Sequence, residues 1–220
     1  MFHDIEGELA GRLRVKICGI TNEADALAAW EYGADAIGLN FFGGSRRYLE
    51  RKLAKEWISD LPPELAKIAV VVNPTAAEAA EIASLQFISG LQLHGQETPE
   101  FCRLLAGRGV RFAKAVPVID GQTLANASDY STQTIVLDSQ SGGVFGGSGS
   151  TFPWEIAAEF VAANPALRVV LAGGLTPENV SAAIAMVRPF AVDVTSGVEA
   201  EAGRKDQGRL RAFIEAARGT

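Results

Sequence analysis

The sequence predicts an α/β protein folded as a single-domain (β/α)8 TIM barrel. Three observations carry that expectation. Eight short runs rich in Val, Ile, Leu and Phe alternate with segments of helical period. The runs recur roughly every 25 residues, against about 30 for a typical βαβ unit. No linker or change of composition marks a second domain, and residues 1–13 precede the first run as a short extension to a barrel domain over 14–220. Eight such units close most economically into a barrel; an open doubly wound sheet is the alternative.

The runs are RVKIC (14–18), AIGLNF (36–41), KIAVVV (67–72), FISGLQL (87–93), RFAKAV (111–116), TIVLD (134–138), RVVLA (168–172) and FAVDV (190–194). Near-continuous apolar character is what a strand covered on both faces requires, so these predict a parallel sheet wrapped in helices. Between them, EADALAAWEYG is expected to end at Gly33 as a cap, and TAAEAAEIASL to open after Pro74. TPEFCRLLAGRG and TPENVSAAIAMV each start with Thr-Pro, a capping residue followed by a proline suited to the first helical position.

Composition narrows the function. The 220 residues are 48% hydrophobic and 21% charged, which is ordinary for a globular protein. Net charge is −6 with no Lys/Arg cluster, so nucleic acid and anionic membrane surfaces are poor partners, while a small anion held by backbone N–H groups and an arginine is compatible. No apolar run approaches the roughly 18 residues that span a membrane. The opening MFHDIEGELAGRL has acids and no apolar core, unlike a signal peptide. Cys18 and Cys102 fall in different elements and are expected to be free thiols in a reducing cytoplasm. With His3 and His94 the only histidines, a His-rich metal site is excluded.

A barrel carries its binding and catalytic residues at the C-terminal ends of strands and in the loops beyond them. The loops after the seventh and eighth runs, LAGGLTPENV and VDVTSGVE, each contain glycine, and in many barrels these two loops hold a phosphate. Gly173, Gly174, Ser196 and Gly197 would make the contacts; tight turns are the plainer reading of each pair alone.

Cys18 ends the first run. A free cysteine is commonly core filler, but as a thiolate it is a competent base, and Lys16 points to the same side of the strand. Asp138 ends the sixth run, where a carboxylate is costly to bury unless it is paired or used; bonding to its own loop is the plainer alternative. The loop behind it, SQSGGVFGGSGSTF, has five glycines and exceeds the usual βα length, so it is expected to be a movable cover that keeps water from the carboxyl. Arg46 and Arg47 follow the second run and suit a carboxylate ligand, or else a surface ion pair. His94, in LQLHGQE after the fourth run, is placed among the binding residues in a supporting position.

Taken in order, VKICGIT, GADAIGLNF with SRRY, VVNP, LQLHGQE, AKAV, LDSQSGGVFGGSGSTFPW, LAGGLTPENV and VDVTSGVE with GRKD resemble one family, phosphoribosylanthranilate isomerase of tryptophan biosynthesis. The resemblance runs from residue 15 to about 206. It implies an Amadori rearrangement of N-(5-phosphoribosyl)anthranilate to 1-(2-carboxyphenylamino)-1-deoxyribulose 5-phosphate without cofactor or metal, with Cys18 as general base and Asp138 as general acid. It implies a phosphate on the two glycine-containing loops and the anthranilate carboxylate near Arg47, with Arg46 standing where relatives commonly carry proline. The lysine of a common Gly-Thr-Gly-Lys-Thr-Phe is Ser150 here. It further implies a cytoplasmic enzyme acting on a small phosphosugar-anthranilate, as monomer or homodimer.

Two other phosphosugar barrels share the phosphate end. Epimerases of the ribulose-phosphate kind need metal ligands that this sequence cannot assemble, and indole-glycerol-phosphate synthase uses lysines and a glutamate at strand ends. A silent barrel that senses a phosphorylated metabolite is the rival from another class.

Overall fold

The computed structural model describes residues 12–120, 124–139 and 152–219. Eight parallel strands close into a barrel in sequence order: β1 (Arg14–Cys18), β2 (Ala36–Asn40), β3 (Ala66–Val71), β4 (Gly90–Leu93), β5 (Phe112–Val118), β6 (Thr134–Ser139), β7 (Arg168–Leu171) and β8 (Ala191–Val194). Strand β8 returns to pair with β1 and shuts the ring.

Alternation along each strand builds two layers. One parity faces the helices: Val15 and Ile17, Ile37 and Leu39, Ala69 and Val71, Leu91 and Leu93, Ile135 and Leu137 all belong to the large buried cluster between sheet and helices. The other parity fills the barrel with smaller side chains, including Ala36, Ile68, Ala113, Ala115, Val136, Val170 and Ala191. Cys18, Asp138 and Asp193 share that inward parity, so the strands themselves aim them at the barrel axis.

Helix starts follow local chemistry. In α3 (Ala76–Ala83) Thr75 and Glu78 form a reciprocal capping box, and α4 (Pro99–Gly107) opens with Thr98 accepting from the Phe101 N–H. Helix α1 (Glu23–Glu31) is followed by Gly33 at φ +101°, the left-handed turn expected of a glycine there. The ring is completed by α2 (Arg51–Ile58), α5 (Trp154–Ala163), α6 (Val180–Val187) and α7 (Gln207–Arg218).

Three expectations need correction. Strand β4 starts at Gly90, and Phe87 to Ser89 lead into it, with the Ser89 N–H donating to the Lys67 carbonyl of β3 at 2.8 Å. Helix α6 starts at Val180, not at Thr176-Pro177. Those two residues form a turn closed by Asn179, which accepts from the Thr176 N–H and donates to the Gly174 carbonyl. Among the described residues, the connection from β5 to β6 holds only a 3-10 turn, Ala127–Tyr130, in place of an eighth full βα helix. That segment is rich in Asn, Ser and Asp, which bond to nearby backbone, and it lacks an apolar stripe long enough to dock a helix.

The face opposite the strand C-termini is tied by one carboxylate. Asp35 accepts from the Val15 N–H and from Arg218 Nη2, each at 2.7 Å, and from Arg12. Arg218 also donates to the carbonyls of Gly33, at 2.7 Å, and Leu13. The end of α7 is thereby fastened to the start of β1. Among the described residues no helix is long and apolar enough to cross a membrane.

Asp35→Ala leaves the buried Val15 N–H without its acceptor and takes the carboxylate partner from Arg12 and Arg218. We expect a loss of about 2–3 kcal/mol in unfolding free energy, read from urea denaturation.

Candidate active site

The strand C-termini surround one pocket, and eight of the nine residues singled out from sequence line it: Cys18, Arg47, His94, Asp138, Gly173, Gly174, Ser196 and Gly197. Arg46 is exposed and stands outside the lining. The glycine-rich segment expected to cover the mouth falls on 140–151, outside the described residues.

Cys18 closes β1 opposite Gly38 of β2. A Cβ on Gly38 would sit 2.5 Å from the Cys18 sulfur, so the thiol occupies space that only glycine leaves free. Beneath it lies Lys16, fully buried, whose Nζ donates to Asp193 Oδ2 at 2.6 Å. Burial pushes the Cys18 thiol up from its ordinary range, and Lys16 opposes that rise. Burial also works against the charge on Lys16, but Asp193 and Cys18 outweigh it, and the ammonium holds its proton more tightly than a free lysine.

Asp138, from β6, has both oxygens engaged. Oδ1 accepts from the Ser139 N–H at 2.8 Å and Oδ2 meets His94 Nε2 at 3.1 Å. The other ring nitrogen of His94, Nδ1, lies 2.9 Å from the Gln92 amide nitrogen. Since an amide nitrogen only donates, Nδ1 accepts and the ring proton sits on Nε2, aimed at Asp138. Gln92 is buried on β4 one alternation before His94, the residue after the strand's end, and His94 in turn reaches Asp138 of β6.

Arg47 is held across the mouth by Glu199. Its Nε donates to Oε1 at 2.9 Å and its Nη2 to Oε2 at 2.6 Å, a bidentate fork. Glu199 belongs to a hairpin after β8, β9 (Glu199–Glu201) paired antiparallel with β10 (Arg204–Lys205). Lys205 donates to Glu199 at 3.2 Å, to the Cys18 carbonyl at 2.6 Å and to the Thr195 carbonyl at 3.2 Å. Burial opposes the charge on Glu199, but Arg47, Lys205 and the Gly203 N–H outweigh it and hold the carboxyl below the usual glutamate range.

The two glycine-containing loops pack against each other. Gly173 and Gly174 adopt φ of +82° and +63°, and a Cβ on Gly173 would meet the Ser139 backbone nitrogen at 2.5 Å. A Cβ on Gly197 would collide with the Leu175 carbonyl. Close backbone approach at both loops is therefore built in, and it brings Gly173, Gly174, Ser196 and Gly197 to one side of the pocket.

Sequence reasoning passed over Gln92, Asp193, Glu199 and Lys205. A signal existed for the first two, each a polar residue inside an apolar strand. The hairpin pair lay within VDVTSGVE and GRKD, stretches of the family resemblance, but nothing local pointed to their partners, which are set by folding. Among the described residues no group of three or more His, Cys, Asp or Glu side chains is placed to share a metal ion.

Ionisable groups on different strands, aimed at one pocket on the loop face of a parallel barrel, define a (β/α)8-barrel enzyme. The family model described as N-(5'phosphoribosyl)anthranilate (PRA) isomerase matches residues 15–216, and the chain belongs to that family. The N-(5'-phosphoribosyl)anthranilate isomerase of Thermotoga neapolitana is 42% identical over 207 residues, covering 94% of this chain and 99% of the relative. The crystal structure of phosphoribosyl anthranilate isomerase from Thermotoga maritima superposes with a TM-score of 0.86 at 41% identity, covering 94% of this chain and all of that one. A phosphoribosyl anthranilate isomerase crystallised with reduced 1-(o-carboxyphenylamino)-1-deoxyribulose 5-phosphate matches with a TM-score of 0.82 at 40% identity, over 94% of this chain and all of that one.

Because Glu199 titrates lower folded than unfolded, its ionisation adds stability that is present above its ordinary value of 4.5 and is lost as pH falls through its folded value. Glu199→Gln should cost about 2 kcal/mol at pH 7. The gap from the parent should shrink in urea titrations at progressively more acid pH. A gap that stays constant would show that the charge on Glu199 contributes nothing.

Proposed function

We propose that the protein isomerises N-(5-phosphoribosyl)anthranilate to 1-(2-carboxyphenylamino)-1-deoxyribulose 5-phosphate, in the tryptophan pathway of the cytoplasm. The observation that carries this reading is the convergence of Cys18, from β1, and Asp138, from β6, on one pocket that also holds Arg47 and the two glycine-containing loops. Family membership and the likeness to a relative crystallised with a reduced form of that product support it.

The loops bearing Gly173, Gly174, Ser196 and Gly197 would bind the substrate phosphate through backbone N–H groups. Arg47, pinned by Glu199 on one edge, would offer the rest of its guanidinium to the anthranilate carboxylate. Held at both ends, the sugar lies between thiol and carboxyl, and positioning of that kind removes much of the entropic barrier.

Asp138 in its protonated form gives its proton to the ring oxygen as the C1–O bond breaks, and the anilino nitrogen's lone pair forms the C=N bond. The His94 and Ser139 N–H groups then steady the carboxylate left behind, donors already aimed at the site where charge appears. The Cys18 thiolate next takes the proton from C2, and the C–H electrons pass through C1 to nitrogen to give an enolamine. The Cys18 thiol returns its proton to C1 while the C2 enol O–H gives up its own, restoring the acid form of Asp138, so the ketone forms and no atom is gained or lost. Arg46, exposed and away from the pocket, has no part in this scheme.

Purified protein should remove phosphoribosylanthranilate fluorescence in the presence of EDTA; a folded but inactive barrel would instead indicate a metabolite sensor. Cys18→Ser and Asp138→Asn should each lower kcat by at least about 10²-fold, the scale of a positioned acid or base. A serine variant with parental kcat would return Cys18 to a packing role. Arg47→Ala should chiefly raise KM, and an unchanged KM would place the carboxylate elsewhere.

A further inference from the structure

The scheme above leaves unused a neighbour of the Cys18 thiol. Inward alternation on β1 puts Lys16 one step below Cys18, and the side chain is buried completely. A lysine without access to water gives up its proton unless an anion holds it there. Here Asp193 holds it, with Nζ to Oδ2 at 2.6 Å. Gly38 shows where the ammonium stands relative to sulfur. A Cβ on that glycine would lie 2.5 Å from Cys18 Sγ and 3.1 Å from Lys16 Nζ, so both atoms converge on the same bare stretch of backbone. An ammonium has three protons to donate, and a thiolate accepts far better than a thiol.

We propose that Lys16 is a positioning residue for proton removal at C2: anchored by Asp193, its ammonium is the fixed charge that keeps the Cys18 sulfur available as a thiolate. This rests on Cys18 being the base of the isomerase reaction.

The charges facing Cys18 from each packed element single out Lys16. Lys205 of β10 donates to the carbonyls of Cys18 and Thr195 and to Glu199, and Arg47 of the loop after β2 is forked onto Glu199. Asp193 of β8 carries the wrong sign for a thiolate. Beyond it stand Asp138 and His94, engaged with each other. β2 contributes only Gly38 at the register position opposite. Burial raises the thiol and Lys16 is the strongest influence pulling it back, ahead of Lys205. The influence is mutual, since Cys18 helps Lys16 stay charged.

The test reads the thiol with and without substrate chemistry. Carbamidomethylation of Cys18 by iodoacetamide is followed against pH and located by mass spectrometry. Cys102 gives little background, being fully buried and pushed up to about 11. Lys16→Met should raise the alkylation midpoint by roughly one to three pH units, the span an opposite charge commands at this range. The rising limb of kcat/KM should move by the same amount, with KM close to parental. An unmoved or lowered midpoint beside an active parent overturns the role of Lys16. A parent that is alkylated at Cys18 yet turns over no phosphoribosylanthranilate overturns the isomerase reading, and the inference with it. Should Lys16→Met fail to fold because Asp193 is left unpaired, Lys16→Met/Asp193→Asn removes both charges. A smaller rise is expected of it, because the opposing charge of Asp193 goes as well, and an unmoved midpoint overturns the role of Lys16.

Discussion

The ion pair between Lys16 and Asp193 is the constraint around which the rest of the barrel is arranged. The two residues are register partners on β1 and β8, the strands whose pairing closes the ring. Taking both charges out of water costs several kcal/mol each, and even good geometry does little more than offset that. What the pair secures is register. A slip of one residue along the seam would send Lys16 outward among Val15, Ile17 and their apolar neighbours, with no anion to meet it. The correct closure is thereby distinguished from its nearest alternatives, and the closed form carries a buried cation directly below a thiol.

A second group of charges works at the mouth. Arg47, Glu199 and Lys205 form a chain from the loop after β2, through the hairpin, to the carbonyls of Cys18 and Thr195. Each member is satisfied by another, so the hairpin is stitched to the ends of both seam strands. Asp35 performs a comparable service at the opposite end with two arginines and a backbone N–H. The two ends answer to different demands. The Asp35 cluster holds chain segments together at the end away from the pocket, whereas the Glu199 cluster fixes Arg47 at the pocket's mouth.

The barrel was legible in the sequence because strand burial on both faces leaves a continuous apolar signature, and RVKIC, TIVLD and RVVLA carry it with few interruptions. Helix starts were legible where capping is local, at Thr75 and Thr98, and misplaced at Thr176, where Asn179 closes a turn that competes with the helix. Strand-end positions were enough to bring Cys18, His94 and Asp138 to one pocket, since a barrel converts position along a strand into position in space. Lys16 and Asp193 were half legible: each stands out as a charge in an apolar run, but nothing local pairs a residue near the start of the chain with one near 193. Glu199 and Lys205 stood inside the quoted VDVTSGVE and GRKD, yet their pairing was illegible for the same reason, compounded by a hairpin whose polar residues resemble any exposed turn. Arg46 and Arg47 show the limit most plainly. They are adjacent and identical, and only the backbone after β2 decides that one grips Glu199 while the other faces solvent.

The hairpin also determines when a newly made chain acquires its pocket. Cys18 and Asp138 are both translated before the cation under the Cys18 carbonyl and the anion that steadies Arg47, which follow β8 in the chain. Closure by β8 is equally late. A nascent polypeptide therefore carries the Cys18 thiol without Asp193, Glu199 and Lys205 around it until β8 and the hairpin have been made. Translation stalled before residue 190 leaves the ring unclosed and the pocket without Asp193, Ser196 and Gly197.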